Sequence, residues 1–146
     1  MGNFTPHCAI LLSKSYSIRQ TISEMLESEG IGTLVSDSFE DIPHFVIAER
    51  DPEYLLIDID EYGGVSLLYD RLRGLRDTLP RTAIIILSSE FKTDDFGTHR
   101  MMLADISIRL PMTYENMNLA LIQGPLNNQI YNARQMEVGH PQQRVS

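Results

Sequence analysis

Asp58 closes an unbroken apolar run, Tyr54-Leu55-Leu56-Ile57, and its position makes it the residue with the clearest chemistry in the chain. A strand buried on both faces reads as continuous Val, Ile and Leu rather than as alternation. In open α/β sheets, chemistry collects just beyond the carboxyl ends of the strands. A carboxylate delivered there can act as a nucleophile or as an oxygen ligand for a hard cation. Asp60 follows two residues later. The run Ala83-Ile84-Ile85-Ile86-Leu87 ends similarly on the hydroxyls of Ser88 and Ser89, and Cys8-Ala9-Ile10-Leu11-Leu12 ends on Ser13 and Lys14.

Five apolar blocks predict the strands that would position these side chains: Cys8–Leu12, Ile31–Val35, Tyr54–Ile57, Ala83–Leu87 and Ile106–Leu110. Helical stripes lie between them. Ile18, Ile22, Met25 and Leu26 mark a first helix ending near Gly30. Ile42, Phe45, Val46 and Ile47 mark a second, with Asp41 as its cap and Pro43 in its first turn. Val65, Leu68, Leu72 and Leu75 mark a third, closed by Pro80. A fourth is expected over Asp94–Leu103, with Met101, Met102 and Leu103 in the core. A fifth starts near Thr113, which can cap it, is expected to bury Met117, Leu121 and Ile122, and is interrupted by Gly124-Pro125. This alternation implies right-handed βαβ crossovers and a (βα)5 doubly wound, five-stranded parallel sheet of order 2-1-3-4-5.

The 146 residues suit one domain, expected over residues 7–122, with a C-terminal helical extension over 123–137 and a disordered tail over 138–146. A net charge of −8, with twelve scattered Lys and Arg, argues against nucleic-acid binding. The longest apolar block is far below the roughly 20 residues that span a bilayer. Cys8 has no second thiol to pair with, which fits a reducing, cytoplasmic compartment. No secretion signal is read at the N-terminus, so the sequon Asn3-Phe4-Thr5 is taken as chance, and Pro6 breaks the myristoylation pattern. His7, His44, His99 and His140 are dispersed and lack metal-ligand spacing.

The segment Pro52–Asp58 with Gly64, the run Ile84–Ser89, and Ala104-Asp105 with Pro111 resemble the receiver domain of bacterial two-component response regulators over about residues 7 to 122. That family has the flavodoxin-like fold and accepts a phosphoryl group on an aspartate. The resemblance implies Asp58 as phosphoacceptor, Ser88 as the switch hydroxyl, the Asp60 backbone carbonyl as a metal ligand, and a cis bond at Leu110-Pro111. It also implies a signalling partner, either a histidine kinase or a downstream effector. Contact or homodimerisation would use the face of the fourth helix, fifth strand and fifth helix, where Tyr114, Met117, Leu121 and Tyr131 lie, or the face of the first helix.

Three positions depart from the family pattern. Ser13 and Lys14 stand where two adjacent acidic residues hold Mg²⁺. Leu110 stands where a lysine precedes the proline, and Arg109 is directed to the other face by strand alternation. Ser107 replaces the aromatic switch residue. The expectation is therefore an atypical, stand-alone pseudo-receiver, not an enzyme, that needs no cofactor. Any Mg²⁺ would be held weakly by Asp58 and the Asp60 carbonyl, and Asp58 would be held either by Lys14 or, at a distance, by Lys92. Three alternatives remain beside it. The first is a working phosphoacceptor whose metal is recruited by Glu61, Asp60 or Glu90. The second is an aspartate-nucleophile phosphatase, which Asp58-Ile59-Asp60 also resembles, although Glu61-Tyr62 follows where that family has Gly-Thr. The third is an interaction domain with no input at Asp58.

Overall fold

A computed structural model describes residues 7–45, 51–97 and 103–139. Its core is one five-stranded parallel sheet in the order β2-β1-β3-β4-β5, with β1 at His7–Leu12, β2 at Ile31–Ser36, β3 at Tyr54–Asp58, β4 at Ala83–Ser88 and β5 at Ile106–Arg109. The order is the predicted one. Every residue of β3 and β4 is buried, as expected of central parallel strands covered on both faces. Side-chain parity sorts the core. Ala9, Leu11, Leu56, Ile85, Leu87 and Ile108 face one layer with Ile22, Met25 and Met117. Ile10, Leu12, Leu55, Ile57, Ile84 and Ile86 face the other with Leu68 and Leu72.

Helix α1 spans Tyr16–Ser28, capped by the Ser15 hydroxyl, which accepts from the Ile18 N–H. Helix α3 spans Gly64–Thr78. It follows directly on a 3₁₀ turn at Asp60–Tyr62, and the reversal between them runs through Gly63 at φ 98° and Gly64 at φ 77°. Gly63 is needed there for its left-handed backbone, which L side chains rarely adopt.

Several expectations need correction. The second helix opens as a 3₁₀ turn, Phe39–Asp41, that runs into a short α2 at Ile42–Phe45. Its cap is Ser38, whose hydroxyl accepts from the Glu40 N–H, because the Asp41 carboxylate is taken by the Ser36 hydroxyl. Val46 and Ile47 lie outside the described residues.

The helix expected over Asp94–Leu103 is absent from its described part. Asp95 forms an antiparallel bridge to Ser107, donating at 2.7 Å and accepting at 3.0 Å. The neighbouring Asp94 carboxylate accepts from the Arg109 N–H at 2.7 Å. The outer edge of β5 leaves backbone donors that need partners, and this segment supplies them. Leu103 is buried; Met101 and Met102 lie outside the described residues.

The last helix, α4, runs unbroken from Tyr114 to Gly139 through Pro125, so the predicted interruption is absent and the division expected after residue 122 falls within a helix. Proline lacks the N–H that would bond the Leu121 carbonyl. The Tyr54 hydroxyl donates to that carbonyl at 2.8 Å instead, which lets the helix continue. The described helix also takes in Val138 and Gly139, which were expected in the tail; residues 140–146 lie outside the described ones. The Leu110-Pro111 bond is cis.

Candidate functional site

Ser13, Asp58, Asp60 and Ser88 meet at the carboxyl edge of the sheet. Asp58 is 1% exposed, and both of its oxygens are engaged. Oδ2 accepts from the Ser13 hydroxyl at 2.8 Å and Oδ1 from the Asp60 N–H at 3.3 Å. Ser13, fully buried at the end of β1, also accepts from the Ser15 N–H at 3.0 Å and so ties the start of α1 to the aspartate. Burial pushes the Asp58 carboxyl above its ordinary value. The Ser13 and Asp60 hydrogen bonds pull the other way, while the nearby charges of Asp60 and Glu61 add to the rise.

Asp60, expected to offer its backbone carbonyl or, in the alternatives, to help recruit a metal, instead has its side chain engaged in hydrogen bonds. Its Oδ1 accepts from the Ser88 hydroxyl at 2.5 Å. Its Oδ2 accepts from the Ser89 N–H at 2.9 Å and from the Ser89 hydroxyl at 2.7 Å. Partial burial works to raise its pKa, but the bonds from Ser88 and Ser89 outweigh it and hold the carboxyl below its ordinary value. Ser88 is therefore directed at Asp60, and its oxygen also accepts from the Glu90 N–H at 3.0 Å.

Lys14 does not hold Asp58. Its ammonium lies 4.8 Å above the centroid of the Tyr62 ring, and among the described residues no ion pair joins it to a carboxylate. Tyr62 offers a π face at that distance, whereas Ser13 already occupies the buried side of Asp58. The Tyr62 hydroxyl donates to the Asp37 carbonyl at 2.6 Å, and burial, with Asp37 and Asp58 nearby, pushes its pKa up to about 12. Tyr62 meets Phe39 edge to face, and the Arg71 guanidinium covers Phe39 in turn. Together these side chains line an open cleft of about 520 Å³ beside the site.

On the far side, Leu110 packs into the core and lines a groove of about 400 Å³ with Ile18, Ile22, Pro111 and Met112, with Asp60 and Ser89 at its end. Arg109 is exposed and donates to the Lys92 carbonyl at 3.2 Å, away from the aspartate. Glu90 and Lys92 are also exposed, and among the described residues neither side chain hydrogen-bonds or ion-pairs with Asp58.

The chain was compared with protein-family models and with curated proteins, and neither comparison found a match. Solved structures do match. A response regulator from Thermotoga maritima superposes with a TM-score of 0.67 at 15% identity, over 83% of this chain and 98% of that one. A CheY-like response regulator receiver domain from Methylobacillus flagellatus gives 0.61 at 22%, over 81% and 98%. NtrX from Brucella abortus in complex with ADP gives 0.64 at 15%, over 91% of this chain but 29% of that longer one. The chain has the receiver-domain fold.

The receiver resemblance carries with it Mg²⁺ at this edge, and the residues present do not fit that ion. A hard cation needs several oxygen ligands, usually including free carboxylates. Here the Asp58 carboxylate is buried, the Asp60 carboxylate is drawn to Ser88 and Ser89, and the remaining two positions of the receiver site hold a hydroxyl and an ammonium in place of carboxylates. Among the described residues no three His, Cys, Asp or Glu side chains gather in a way that could hold a metal.

A second polar cluster escaped the sequence reading. At the opposite, amino edge of the sheet, Arg76 of α3 and Asp105 form a buried bidentate pair at 2.8 and 2.9 Å. Asp105 also accepts from the Ile84 N–H, and the Tyr131 ring covers the guanidinium at 4.0 Å. Tyr131 thus belongs to this cluster, while Met117 and Leu121 belong to the core and Tyr114 is exposed. Arg76 carried no signal in the sequence beyond a charge inside an apolar stripe.

Proposed function

We propose that this receiver-fold chain is a pseudo-receiver of two-component signalling. In this reading it works by protein contact and does not catalyse, and Mg²⁺-dependent phosphorylation of Asp58 plays no part. One observation carries the proposal. The carboxylate that would accept a phosphoryl group is buried, with both oxygens hydrogen-bonded by Ser13 and the Asp60 N–H, and among the described residues no metal-binding donor set lies beside it. Nucleophilic attack needs an exposed lone pair, and phosphoryl transfer in this chemistry leans on a cation to neutralise developing charge.

Contact has a surface available. Leu119, Ile122, Leu126 and Ile130 stand exposed on α4, which has no charged residue between Glu115 and Arg134. An apolar face of this kind is a common mark of an interaction site. The partner in this reading is a signalling protein, a kinase or an effector, that acts by binding one arrangement of the chain better than another. The described residues include no helix long and apolar enough to cross a membrane.

The test is intact-mass analysis after incubation with a small-molecule phosphodonor, with and without Mg²⁺, with Asp58→Asn as control. Unchanged mass under saturating donor and metal is expected. A Mg²⁺-dependent gain lost in Asp58→Asn would sink the proposal and favour a phosphoacceptor with an unconventional metal site. Turnover of a generic phosphomonoester would point to the phosphatase instead.

A further inference from the structure

We propose that Asp60 is a built-in latch, an anion supplied by the chain itself that fills the hydrogen-bond donors at the end of β4 and holds that strand terminus in one arrangement without modification of Asp58. Three donors converge on one carboxylate: the Ser88 hydroxyl at 2.5 Å, the Ser89 N–H at 2.9 Å and the Ser89 hydroxyl at 2.7 Å. Hydrogen bonds to an ionised acceptor are shorter and stronger than neutral ones. The fourth member, the Glu90 N–H, donates to the Ser88 oxygen at 3.0 Å, so the turn after β4 is bound into the same cluster.

Topology explains why Asp60 reaches this position. β3 and β4 are neighbours, with Asp58 opposite Leu87, so Ser88 and Ser89 are the next positions beyond the pair. Asp60 opens the 3₁₀ turn that leads into α3. Its carboxylate therefore fastens the β3–α3 connection to the end of β4, two segments otherwise joined here by the Ile59 N–H to Leu87 carbonyl bond at 2.9 Å.

The consequence is exclusive occupancy. Any other anion arriving at this edge, whether free or carried on Asp58, finds these donors already taken. Asp60 must swing out before the Ser88 hydroxyl and Ser89 N–H can serve another oxygen, and its partial exposure leaves a path for that movement. The regulatory meaning of the latch rests on the pseudo-receiver reading; the clasp itself does not.

Residue-resolved hydrogen exchange on the whole chain tests the latch. With Asp60→Ala, the Ser89 and Glu90 amides are expected to exchange at least about ten times faster than in the wild type, the equivalent of roughly 1.4 kcal/mol of lost protection. Glu61→Gln, a neighbouring carboxylate outside the clasp, is expected to leave them unchanged. Equal rates in Asp60→Ala and wild type would overturn the latch, as would an equal rise in both variants, which reports general loosening. Should Asp60→Ala fail to fold, Ser88→Ala replaces it: a smaller acceleration confined to the same turn is expected, and none would overturn the proposal. The phosphodonor measurement is independent, so either proposal can fail alone.

Discussion

Asp58 and Asp60 stand two residues apart on one strand end and respond to acid in opposite senses. Burial raises the Asp58 pKa above the ordinary 3.8, so the fold holds that proton more tightly than the unfolded chain does. As pH rises from the unfolded value through the raised folded one, Asp58 ionises inside the fold and its contribution to stability falls, staying low at neutrality. Asp58→Asn cannot ionise. Thermal melts are therefore expected to place its midpoint a few degrees above wild type at pH 7, with the advantage shrinking to nothing below the ordinary carboxylate range. A constant difference across that range would contradict the burial argument. Asp60 behaves conversely. Its lowered pKa stabilises the fold above the ordinary value, and that stabilisation is lost as pH falls through the lower folded one.

At the scale of elements, the pairing of Tyr54 with the carbonyl freed by Pro125 explains how a 26-residue helix passes through proline. Tyr54→Phe keeps the ring and removes the donor, leaving a carbonyl without its partner. A loss of about 1–3 kcal/mol is expected in denaturant unfolding, and hydrogen exchange should rise first around Leu121–Asn128. Pro125→Ala, which restores a helical N–H, should remove most of the sensitivity to Tyr54→Phe; two additive losses would contradict the pairing. This interaction also marks what a linear reading misses. The strands were legible because central parallel strands print as apolar runs, and the ends at Asp58 and Ser88 were legible with them. Pro125 read as a stop because the carbonyl it frees, that of Leu121, is satisfied by a residue 67 positions away in sequence. Asp94 and Asp95 fell inside an expected helix because the need they meet, the open edge of β5, exists only once the sheet has formed. Asp60 read as a metal ligand because its donors lie on another strand.

At the scale of the whole molecule, the C-terminal half of α4 is part of the domain. Asn127 donates to the Phe96 and Asp105 carbonyls, and Asn128 to those of Pro80 and Thr82. Tyr131 closes over Arg76. Truncation after residue 122, where the sequence suggested the domain would end, would strip these partners from a buried ion pair and from several backbone carbonyls. Leaving those buried carbonyls without donors is costly, on the order of 1–3 kcal/mol for each group. The truncated chain is expected to melt well below the full chain or to aggregate; an unchanged midpoint would show the extension to be dispensable.

β3 has five residues, roughly 16 Å of extended chain. At its far end sits Asp58, bound to Ser13 and beside the Asp60 clasp; at its near end sits Tyr54, holding α4 at the carbonyl that proline released. The two ends of the molecule are thus fastened to a single rigid rod packed on both faces. A slide of that rod by even a fraction of a residue cannot satisfy one fastening without straining the other. Under the proposed contact reading, a partner on α4 would bear on the strand that carries Asp58 at its other end.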